Sequence, residues 1–396
     1  MALGALIGAY QEDDAGGLRA LLPLAGRTLI EYQARCLATA GAMPLTVLVE
    51  RVPPALNEAF ERLRGEGIAV VPVSDGNEAA SRFEAGSQLI LLADGMAPDT
   101  GDLELLLEEG DGAILTVPDD EAHADFERID AHNRWAGLAK VDANMLGATA
   151  AMLGDWDLQS TLLRRAVQAG ARLIPSNPAE GRGPFIASDE AAMAGFERRL
   201  LVASRTARDD AVSRYFLPVV EEMATEKLME TGLRPAWLVQ AALAMTIAAA
   251  FCFTRGWHLA ALALLILSTP FDLVAQRLAL LRLQPLGPRM LSRRLLWPAA
   301  GLALLALGWF EARHGGGWGA MIAALAGAAF GEAGRIERAG GDLPGRPWHF
   351  ARRNAIWLAL PLAVGGWWNL YLAVIALYAA TSFFIVQHFR HGVQRD

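Results

Sequence analysis

STPFDLVAQRLALLRLQPLGPRMLSRRLL, the stretch from Ser268 to Leu296, decides how the rest of the chain is organised. Asp272 lies at the end of a long apolar run within it. A carboxylate at the edge of a membrane is costly to place, so Asp272 is a candidate functional residue. Five arginines follow, at positions 277, 282, 289, 293 and 294. Such a cluster suits a site that binds phosphate at a membrane surface, and it equally suits an ordinary arginine-rich loop.

The two parts of the chain differ in charge. Residues 1–232 carry 20 basic and 37 acidic side chains, whereas residues 233–396 carry 15 and 6. The acidic part is typical of a soluble domain and the basic, apolar part of a membrane domain. Cys36 and Cys252 are far apart and predict neither a disulfide framework nor a metal site. We therefore expect three regions, namely a cytoplasmic domain over 1–205, a juxtamembrane helix over 206–232 and a membrane domain over 233–396.

The first 200 residues alternate short apolar runs with amphipathic stretches, which predicts a doubly wound α/β domain. Candidate helices include Thr28–Ala40 and Ala55–Arg64. Ligands in such sheets bind beyond the carboxyl ends of the strands, so the loop 9–18 and Asp94 are expected at the site. The candidate strands are Ala2–Gly8, Pro44–Glu50, Ile68–Val73, Leu89–Asp94 and Ala113–Val117.

The run LRALLPLAGRTLIEYQARCLATAGA, residues 18–42, resembles the start of the sugar-phosphate nucleotidyltransferases, a family that includes cytidylyltransferases. The resemblance implies a GT-A-like fold, a Gly-rich loop that holds a nucleoside triphosphate such as CTP, and an aspartate that holds magnesium. Arg19 falls at the position of the family's basic residue, and Asp94 falls near its metal aspartate. Asp94 is otherwise a turn residue that caps the next helix, and Arg19 a surface arginine.

The chain departs from this family in two places. Glu12, Asp13 and Asp14 occupy the loop in which amides and an arginine should meet phosphate, and carboxylates there are expected to repel a polyanion. The family's later metal-binding aspartate aligns with Ala187, two residues before Asp189. These departures predict that the α/β domain does not carry out the family's reaction.

The stretch Phe126–Asp142 mixes aromatic and charged residues without a clear period. Arg128, Asp130, Trp135 and Lys140 within it could line the cleft opposite the first strand. The favoured interpretation is an edge hairpin with one tryptophan packed on the sheet.

A helix is predicted where the two parts of the chain join. Over Phe216–Thr231, apolar residues recur at helical spacing beside a charged face, which is typical of a helix lying on a membrane surface. The sequence TGLRPAWLV, residues 231–239, then opens the first apolar segment. This order resembles bifunctional proteins that fuse a cytidylyltransferase to a CDP-alcohol phosphatidyltransferase.

Six apolar segments follow, and arginines indicate their topology. The loops 272–294 and 331–354 hold five arginines each, while the alternate loops hold two between them. By the positive-inside rule both termini are cytoplasmic. We expect a multi-pass protein of the cytoplasmic (inner) membrane. The segments are Pro235–Phe253, Trp257–Phe271, Leu295–Phe310, Trp318–Phe330, Ala355–Trp367 and Leu370–Val386.

Six spans and an aspartate at the cytoplasmic end of the second resemble the CDP-alcohol phosphatidyltransferase family. In that family four aspartates on two helices hold divalent metals, and the last can act as the base. On this chain Asp272 takes the second aspartate and Arg277 the motif arginine, while Gly287 stands near a motif glycine. The other three aspartates fall on Thr269, Leu291 and Leu295.

The surviving carboxylate leaves several interpretations open. Asp272 is a catalytic and metal-ligating remnant that binds Mg²⁺ or Mn²⁺ if the protein is active, or it forms a salt bridge with Arg277 or Arg282. Arg277, with Arg19, Arg293 and Arg294, is a candidate substrate-binding residue. The pairs 293/294 and 352/353 would hold a lipid head group or phosphate, or they follow from topology alone.

The sequence predicts the pathway in which the protein acts, and two hypotheses remain for its role there. One hypothesis is a transferase that moves a phospho-alcohol from a CDP-activated donor in phospholipid or head-group synthesis, catalytically impaired because three of four aspartates are replaced. The other is a non-catalytic partner or regulator of an intact, paralogous enzyme of that pathway. Membrane lipid and a CDP-alcohol or CTP are the expected partners, the resemblance implies a homodimer, and no nucleic acid is expected.

Overall fold

A computed structural model describes residues 2–110, 112–153, 156–176, 183–204, 208, 210–229, 231–284, 290–338 and 345–392. Within it the chain forms two compact units. The first comprises Met1–Ser204 together with Leu281–Leu283, and the second comprises Arg205–Leu280 and Gln284–Asp396. The domain boundaries expected from the sequence, at 205 and 232, stay predictions.

The first unit is built on a seven-stranded mixed sheet, as the alternation of apolar runs predicts. β1 lies in the middle, parallel to β4 on one side and to β6 on the other. All five strands predicted from the sequence are present within a few residues of their expected bounds. In spatial order the strands are β10 (Arg172–Pro175), β8 (Ala113–Pro118), β9 (Asn133–Asp142), β6 (Gln88–Leu92), β1 (Leu3–Gly8), β4 (Leu45–Leu48) and β5 (Val70–Val73).

The predicted edge hairpin over Phe126–Asp142 is wrong. β9 lies inside the sheet, antiparallel to both β8 and β6. Residues Trp135–Val141 are all buried, because neighbouring strands and the layers on both faces cover them. Trp135 does pack on the sheet, with 4% of its surface exposed. Lys140 is buried within this strand as well and therefore does not line an open cleft.

Helices cover the sheet, and their first turns explain where they begin. In α1 (Leu29–Thr39) the hydroxyl of Thr28 and the carboxylate of Glu31 form a reciprocal capping box. The other helices of this unit are α2 (Pro54–Gly65), α3 (Gly76–Ser81), α4 (Thr100–Glu108), α5 (Ala143–Ala150), α6 (Leu158–Gln168) and α7 (Glu190–Ala203). In the described residues of this unit, two short two-stranded sheets accompany the main sheet: β2 (Pro23–Leu24) pairs with β3 (Arg27–Thr28), and β7 (Met96–Ala97) pairs with β11 (Phe185–Ile186).

The second unit is helical. Among the described residues, four helical stretches are long and apolar enough to cross a membrane. The third, Leu291–Arg338, consists of two helices that meet at a break around His314 and Gly315. The fifth predicted segment forms a helix of only 13 residues, less than the ~20 that a free span needs. The six-span topology therefore stays a prediction. The helices are α9 (Pro235–Thr254), α10 (His258–Leu281), α11 (Leu291–Glu311), α12 (Gly317–Arg338), α13 (Arg352–Val364) and α14 (Trp368–Gly392).

A helix, α8 (Pro218–Met229), lies within the stretch Phe216–Thr231 for which a helix is predicted, and a helical turn over Val212–Phe216 precedes it. Its place at a membrane stays a prediction. On the surface of a soluble protein, the polar side of a helix usually faces water. In α8 the polar residues Glu221 and Thr225 instead face inward and are at most 2% exposed. Five apolar side chains are exposed along the turn and the first half of α8, each 47–68% exposed, and charged residues follow toward its end: Tyr215, Phe216, Val219, Val220 and Met223. An apolar face of this kind suits contact with a bilayer surface.

Candidate functional site

Asp272 is buried in the second unit and is paired with two arginines. It lies on α10, where 7% of the residue is exposed. Its Oδ2 accepts hydrogen bonds from Arg352 Nη2 at 3.3 Å and Arg353 Nη2 at 2.7 Å. Oδ1 accepts from Gln276 Nε2 at 3.1 Å. Both oxygens of the surviving motif carboxylate therefore have partners from the protein itself.

A second carboxylate completes this cluster. Arg353 Nη1 donates to Asp210 Oδ2 at 2.6 Å, and Asp210 Oδ1 accepts from the amide of Ser213 at 2.9 Å. Arg352 Nη1 donates to Ser268 Oγ at 3.1 Å. Two guanidinium groups thus balance two carboxylates in a buried, charge-neutral arrangement. We call Asp210, Asp272, Arg352 and Arg353 the four-residue ion cluster.

The salt-bridge partners expected for Asp272 are wrong, since Arg277 and Arg282 pair elsewhere. Arg277 lies 3.3 Å from Glu221, whose carboxylate also accepts from Arg208 Nε at 3.0 Å. Burial raises the pKa of Glu221 above its usual value, against the opposing effect of these two arginines. Arg282 belongs to the first unit, where its Nε donates to the carbonyl of Ala25 at 2.7 Å.

The other motif positions supply no carboxylate near Asp272. Thr269 accepts a hydrogen bond from the indole of Trp357 at 3.2 Å, while Leu291 and Leu295 are exposed on the first turns of α11. Within the described ranges, no three His, Cys, Asp or Glu side chains form a group that could hold a metal ion. Gly287, at the motif glycine, lies outside the described residues. Metal binding at Asp272 stays a prediction.

Arg293 and Arg294 lie on the first turn of α11, and both are exposed. The phosphate role expected for this pair stays a prediction. For the pair 352/353, the sequence left open a lipid head group, a phosphate or topology alone. In the structure the Arg353 side chain is 11% exposed and belongs to the ion cluster.

In the first unit, Asp94 organises the loop that follows β1. Its Oδ2 accepts hydrogen bonds from the amides of Tyr10 and Gln11, both at 2.6 Å. The residue is 4% exposed, and burial raises the pKa of its carboxyl group despite these hydrogen bonds. The interpretation of Asp94 as the cap of the next helix is wrong, because Asp99 caps α4.

In the acidic loop after β1, a carboxylate of the loop itself binds the backbone amides. Asp13 Oδ1 accepts from the amides of Ala15 at 3.0 Å and Gly17 at 2.7 Å, so these amides are already engaged. Arg19, half-buried, donates to the Glu12 carbonyl at 3.2 Å and to Gln11 Oε1 at 2.9 Å. The structure does bring Arg19 close to Asp94, since a Cβ added to Gly95 would lie 3.1 Å from Arg19 Cδ.

Side chains that the sequence did not indicate fill the carboxyl ends of the central strands. The Gln159 amide donates to the Leu92 carbonyl at 2.8 Å, and a Cβ on Gly8 would lie 2.8 Å from its oxygen. The Tyr10 hydroxyl donates to Asp157 at 2.7 Å and lies 3.3 Å from Gln159. We call Tyr10, Asp157 and Gln159 the strand-end plug. No local motif marks them, because they come together from sites about 150 residues apart.

The remaining aligned positions are structural. Ala187 is fully buried, and its amide donates to the Gly95 carbonyl at 2.8 Å. Asp189 accepts from the Ala192 amide at 2.6 Å as the N-cap of α7, so its carboxylate is engaged at a helix start.

Two solved structures are similar to half of the chain. A protein of Bacillus anthracis described as a glucose-1-phosphate thymidylyltransferase, in complex with sucrose, is 10% identical, covers 50% of this chain and 94% of its own, and gives a TM-score of 0.40. The CTP:phosphocholine cytidylyltransferase of Streptococcus pneumoniae is 13% identical, covers 50% and 100%, and gives 0.35. No family model and no curated protein sequence matches the chain.

The structure defines the class of protein. One chain joins an α/β sheet unit to a unit of apolar helices that are long enough to cross a membrane. What it does has to be inferred from the ion cluster and the strand-end plug.

Proposed function

We propose that this chain is a non-catalytic membrane protein of the CDP-alcohol phosphatidyltransferase type, which acts as a partner or regulator of an intact enzyme in phospholipid or phospho-alcohol head-group synthesis. The observation that carries the proposal is the pairing of Asp272 with Arg352 and Arg353. The proposal includes the expected place in the cytoplasmic membrane with both termini cytoplasmic, and a homodimer.

Electrostatics at the ion cluster support this proposal. Catalysis of the family type needs several carboxylate oxygens that hold divalent metals on the CDP pyrophosphate. A divalent cation placed on Asp272 would lie within a few ångströms of two guanidinium groups, which repel it. Leu291 and Leu295 offer neither a metal ligand nor a base. The site therefore favours a structural ion pair over a metal centre.

The α/β unit supports the same conclusion independently. The amides after β1 that would meet phosphate already bind Asp13, and the strand-end plug occupies the ends of β1 and β6. A nucleoside triphosphate would have to displace Tyr10 and Gln159 from their hydrogen bonds, of which the one from Gln159 to the Leu92 carbonyl is buried. Loss of such bonds is unfavourable unless the ligand replaces them.

One observation favours a second candidate, a transferase that uses diverged residues. Among the described residues, Asp94 Oδ1 has no hydrogen-bond partner although the side chain is buried. A carboxylate oxygen is a ligand that Mg²⁺ or Mn²⁺ carried in by CTP would prefer, and Arg19 is then suited to the triphosphate rather than to the metal. If this candidate is right, nucleotide binding depends on metal and on Asp94 rather than on Asp272.

Ligand-dependent stability in nanodiscs distinguishes the two candidates. Thermal unfolding is followed with CTP, a CDP-alcohol or CMP, each with and without Mg²⁺ or Mn²⁺, for the natural chain and for Asp272→Asn and Asp94→Asn. A ligand at about 100 times its Kd would stabilise the chain by about 2.7 kcal/mol. An enzyme that retains all four motif aspartates, in identical nanodiscs, is the positive control.

We expect no nucleotide or metal to shift the unfolding temperature of this chain while the control enzyme shifts. A metal-dependent shift that disappears in Asp272→Asn would overturn the proposal and mean a rebuilt phosphatidyltransferase site. A shift that disappears only in Asp94→Asn would establish the second candidate.

A further inference from the structure

The second unit contains a partly open cavity of about 490 Å³ among the helices α9 to α14. Its walls are almost entirely apolar, and only Arg352 and Glu332 among the lining residues carry charge. Binding cavities for small molecules have volumes of about 300 to 1,000 Å³. The cavity is therefore large enough for a ligand, and its walls determine the chemistry of that ligand.

The length of the cavity matches one leaflet of a membrane. Along α11 its lining runs from Trp297 to Leu307, ten residues that rise about 15 Å in a helix. This is about half of the ~30 Å hydrocarbon core of a bilayer. A cavity of this depth in membrane-spanning helices has the dimensions of one lipid chain.

The two ends of the cavity differ in polarity. Arg352, Glu332 and Phe350 belong to the lining near the start of α11, where Phe350 packs against Trp297, whereas Phe253 and Trp368 pack on each other in the apolar remainder of the lining. The Arg352 guanidinium, held by Ser268 and Asp272, offers N–H donors and no acceptor. Glu332, the other charged residue at this end, is paired with Arg335, so a ligand with acceptor oxygens is complementary to Arg352.

We propose that this cavity holds one acyl chain of a membrane lipid, with the ester or phosphate oxygens of that lipid at Arg352. Water is unfavourable along apolar walls, and an empty cavity of this size would destabilise the helix packing. An acyl chain fills the volume without unsatisfied polar groups, and the polar end meets the head-group region. This site is independent of the proposed function, because it needs no chemistry at Asp272.

Gly301 on α11 provides a variant that fills the cavity. It lines the cavity, and a Cβ added there meets nothing closer than the Ala328 Cβ at 3.9 Å. Gly301→Leu therefore places a side chain in the volume without moving the backbone. Gly319→Leu on α12 is the matched control, since Gly319 is exposed, outside the lining, and has no atom within 4 Å of an added Cβ.

Native mass spectrometry tests the proposal on the full chain, released from nanodiscs that contain phosphatidylglycerol and oleic acid. We expect one retained lipid on the natural chain and on Gly319→Leu, and at least a fivefold lower occupancy on Gly301→Leu. The added mass tells a phospholipid from a free fatty acid, and either result supports an acyl chain. Equal retention in Gly301→Leu overturns the proposal.

A second measurement covers the case in which Gly301→Leu does not fold. The natural chain is stripped of lipid in detergent, and phosphatidylglycerol is then added back in increasing amounts. We expect one lipid to rebind saturably and to raise the unfolding temperature. Failure of the stripped chain to rebind lipid would equally overturn the proposal.

Discussion

Arg353 binds Asp272 at 2.7 Å across 81 residues of sequence and joins α13 to α10. Because the same guanidinium also pairs with Asp210, its removal leaves two buried carboxylates to share Arg352. We predict that Arg353→Gln destabilises the helical unit by about 3 to 5 kcal/mol, as for other buried pairs that lose one partner. The double variant with Asp272→Asn should cost less than the sum of the single variants. Unfolding in detergent measures both.

Arg335→Gln is the control for this prediction, because Arg335 pairs with Glu332 on an exposed surface. An exposed pair contributes at most about 1 kcal/mol, so this variant should unfold almost as the natural chain does. Strict additivity of Asp272→Asn and Arg353→Gln would mean that the two side chains do not act as a pair.

Glu31 makes the stability of the α/β unit depend on pH. It is fully buried, and its carboxylate binds Arg62 at 3.0 Å and Arg35 at 3.3 Å while it caps α1 at Thr28. Burial alone would raise the pKa of Glu31, but the hydrogen bonds from Arg62 and Thr28 outweigh it and hold the pKa below the usual 4.5.

A lowered pKa means that the folded state binds this proton more weakly than the unfolded state. The stabilisation from Glu31 is therefore complete above pH 4.5 and is lost as the pH falls through the lower folded-state pKa. Glu31→Gln should weaken this unit by about 3 kcal/mol at pH 7 and flatten the acid side of its stability profile. Hydrogen exchange of the α1 amides at several pH values measures this.

Glu61→Gln is the matched control, since Glu61 pairs with Arg64 on the exposed surface of α2. It should leave the exchange of the α1 amides unchanged. If Glu31→Gln and Glu61→Gln gave the same pH profile, the acid sensitivity would come from other carboxylates.

The sequence predicted the parallel strands well because such strands are buried on both faces and appear as short apolar runs, as in Leu89–Asp94. It misplaced β9, since Asn133–Asp142 mixes polar and apolar residues although the strand is central. The spacing of Phe216, Val219, Val220 and Met223 correctly predicted an apolar helix face, because a helix repeat is a local property.

The candidate site was predicted only in part, and the reason is distance along the chain. Asp272 could be singled out from its apolar surroundings, but its arginine partners lie 80 and 81 residues later and follow from helix packing. The acidic loop was expected to repel an anion. Its Asp13 instead turns onto the loop amides, a local hydrogen-bonding choice that composition alone does not indicate.

We predict that Asp94 stabilises the fold through the hydrogen bonds that its side chain accepts, and that its negative charge is not required. In Asp94→Asn an amide oxygen can still accept from Tyr10 and Gln11, and the unfavourable burial of a charge, which raises the pKa of Asp94, is removed. We predict a change within about 1 kcal/mol. Asp94→Ala leaves two amides without their acceptor and should cost about 2 to 4 kcal/mol. Thermal unfolding compares the variants.

Asp99→Ala serves as the comparison, because it removes only the N-cap of α4 and should cost about 1 kcal/mol. If Asp94→Asn proved as damaging as Asp94→Ala, the charge itself would be required. Arg19 or a bound metal ion would then be the group that needs it.

The apolar face of α8 leads to a prediction about membrane depth. Met223 is 58% exposed on this face. A fluorescent label on Met223→Cys, in a Cys252→Ala background, should be quenched strongly by lipids brominated on their acyl chains. The same label on Glu61→Cys, an exposed position on α2 of the first unit, is the control and should be quenched weakly. Glu221 and Thr225 point inward, where Glu221 pairs with Arg208 and Arg277, so the exposed apolar side chains of α8 are left to meet the bilayer. Equally weak quenching at both positions would place α8 in solvent, and the outward apolar face would then need a protein partner instead of a bilayer.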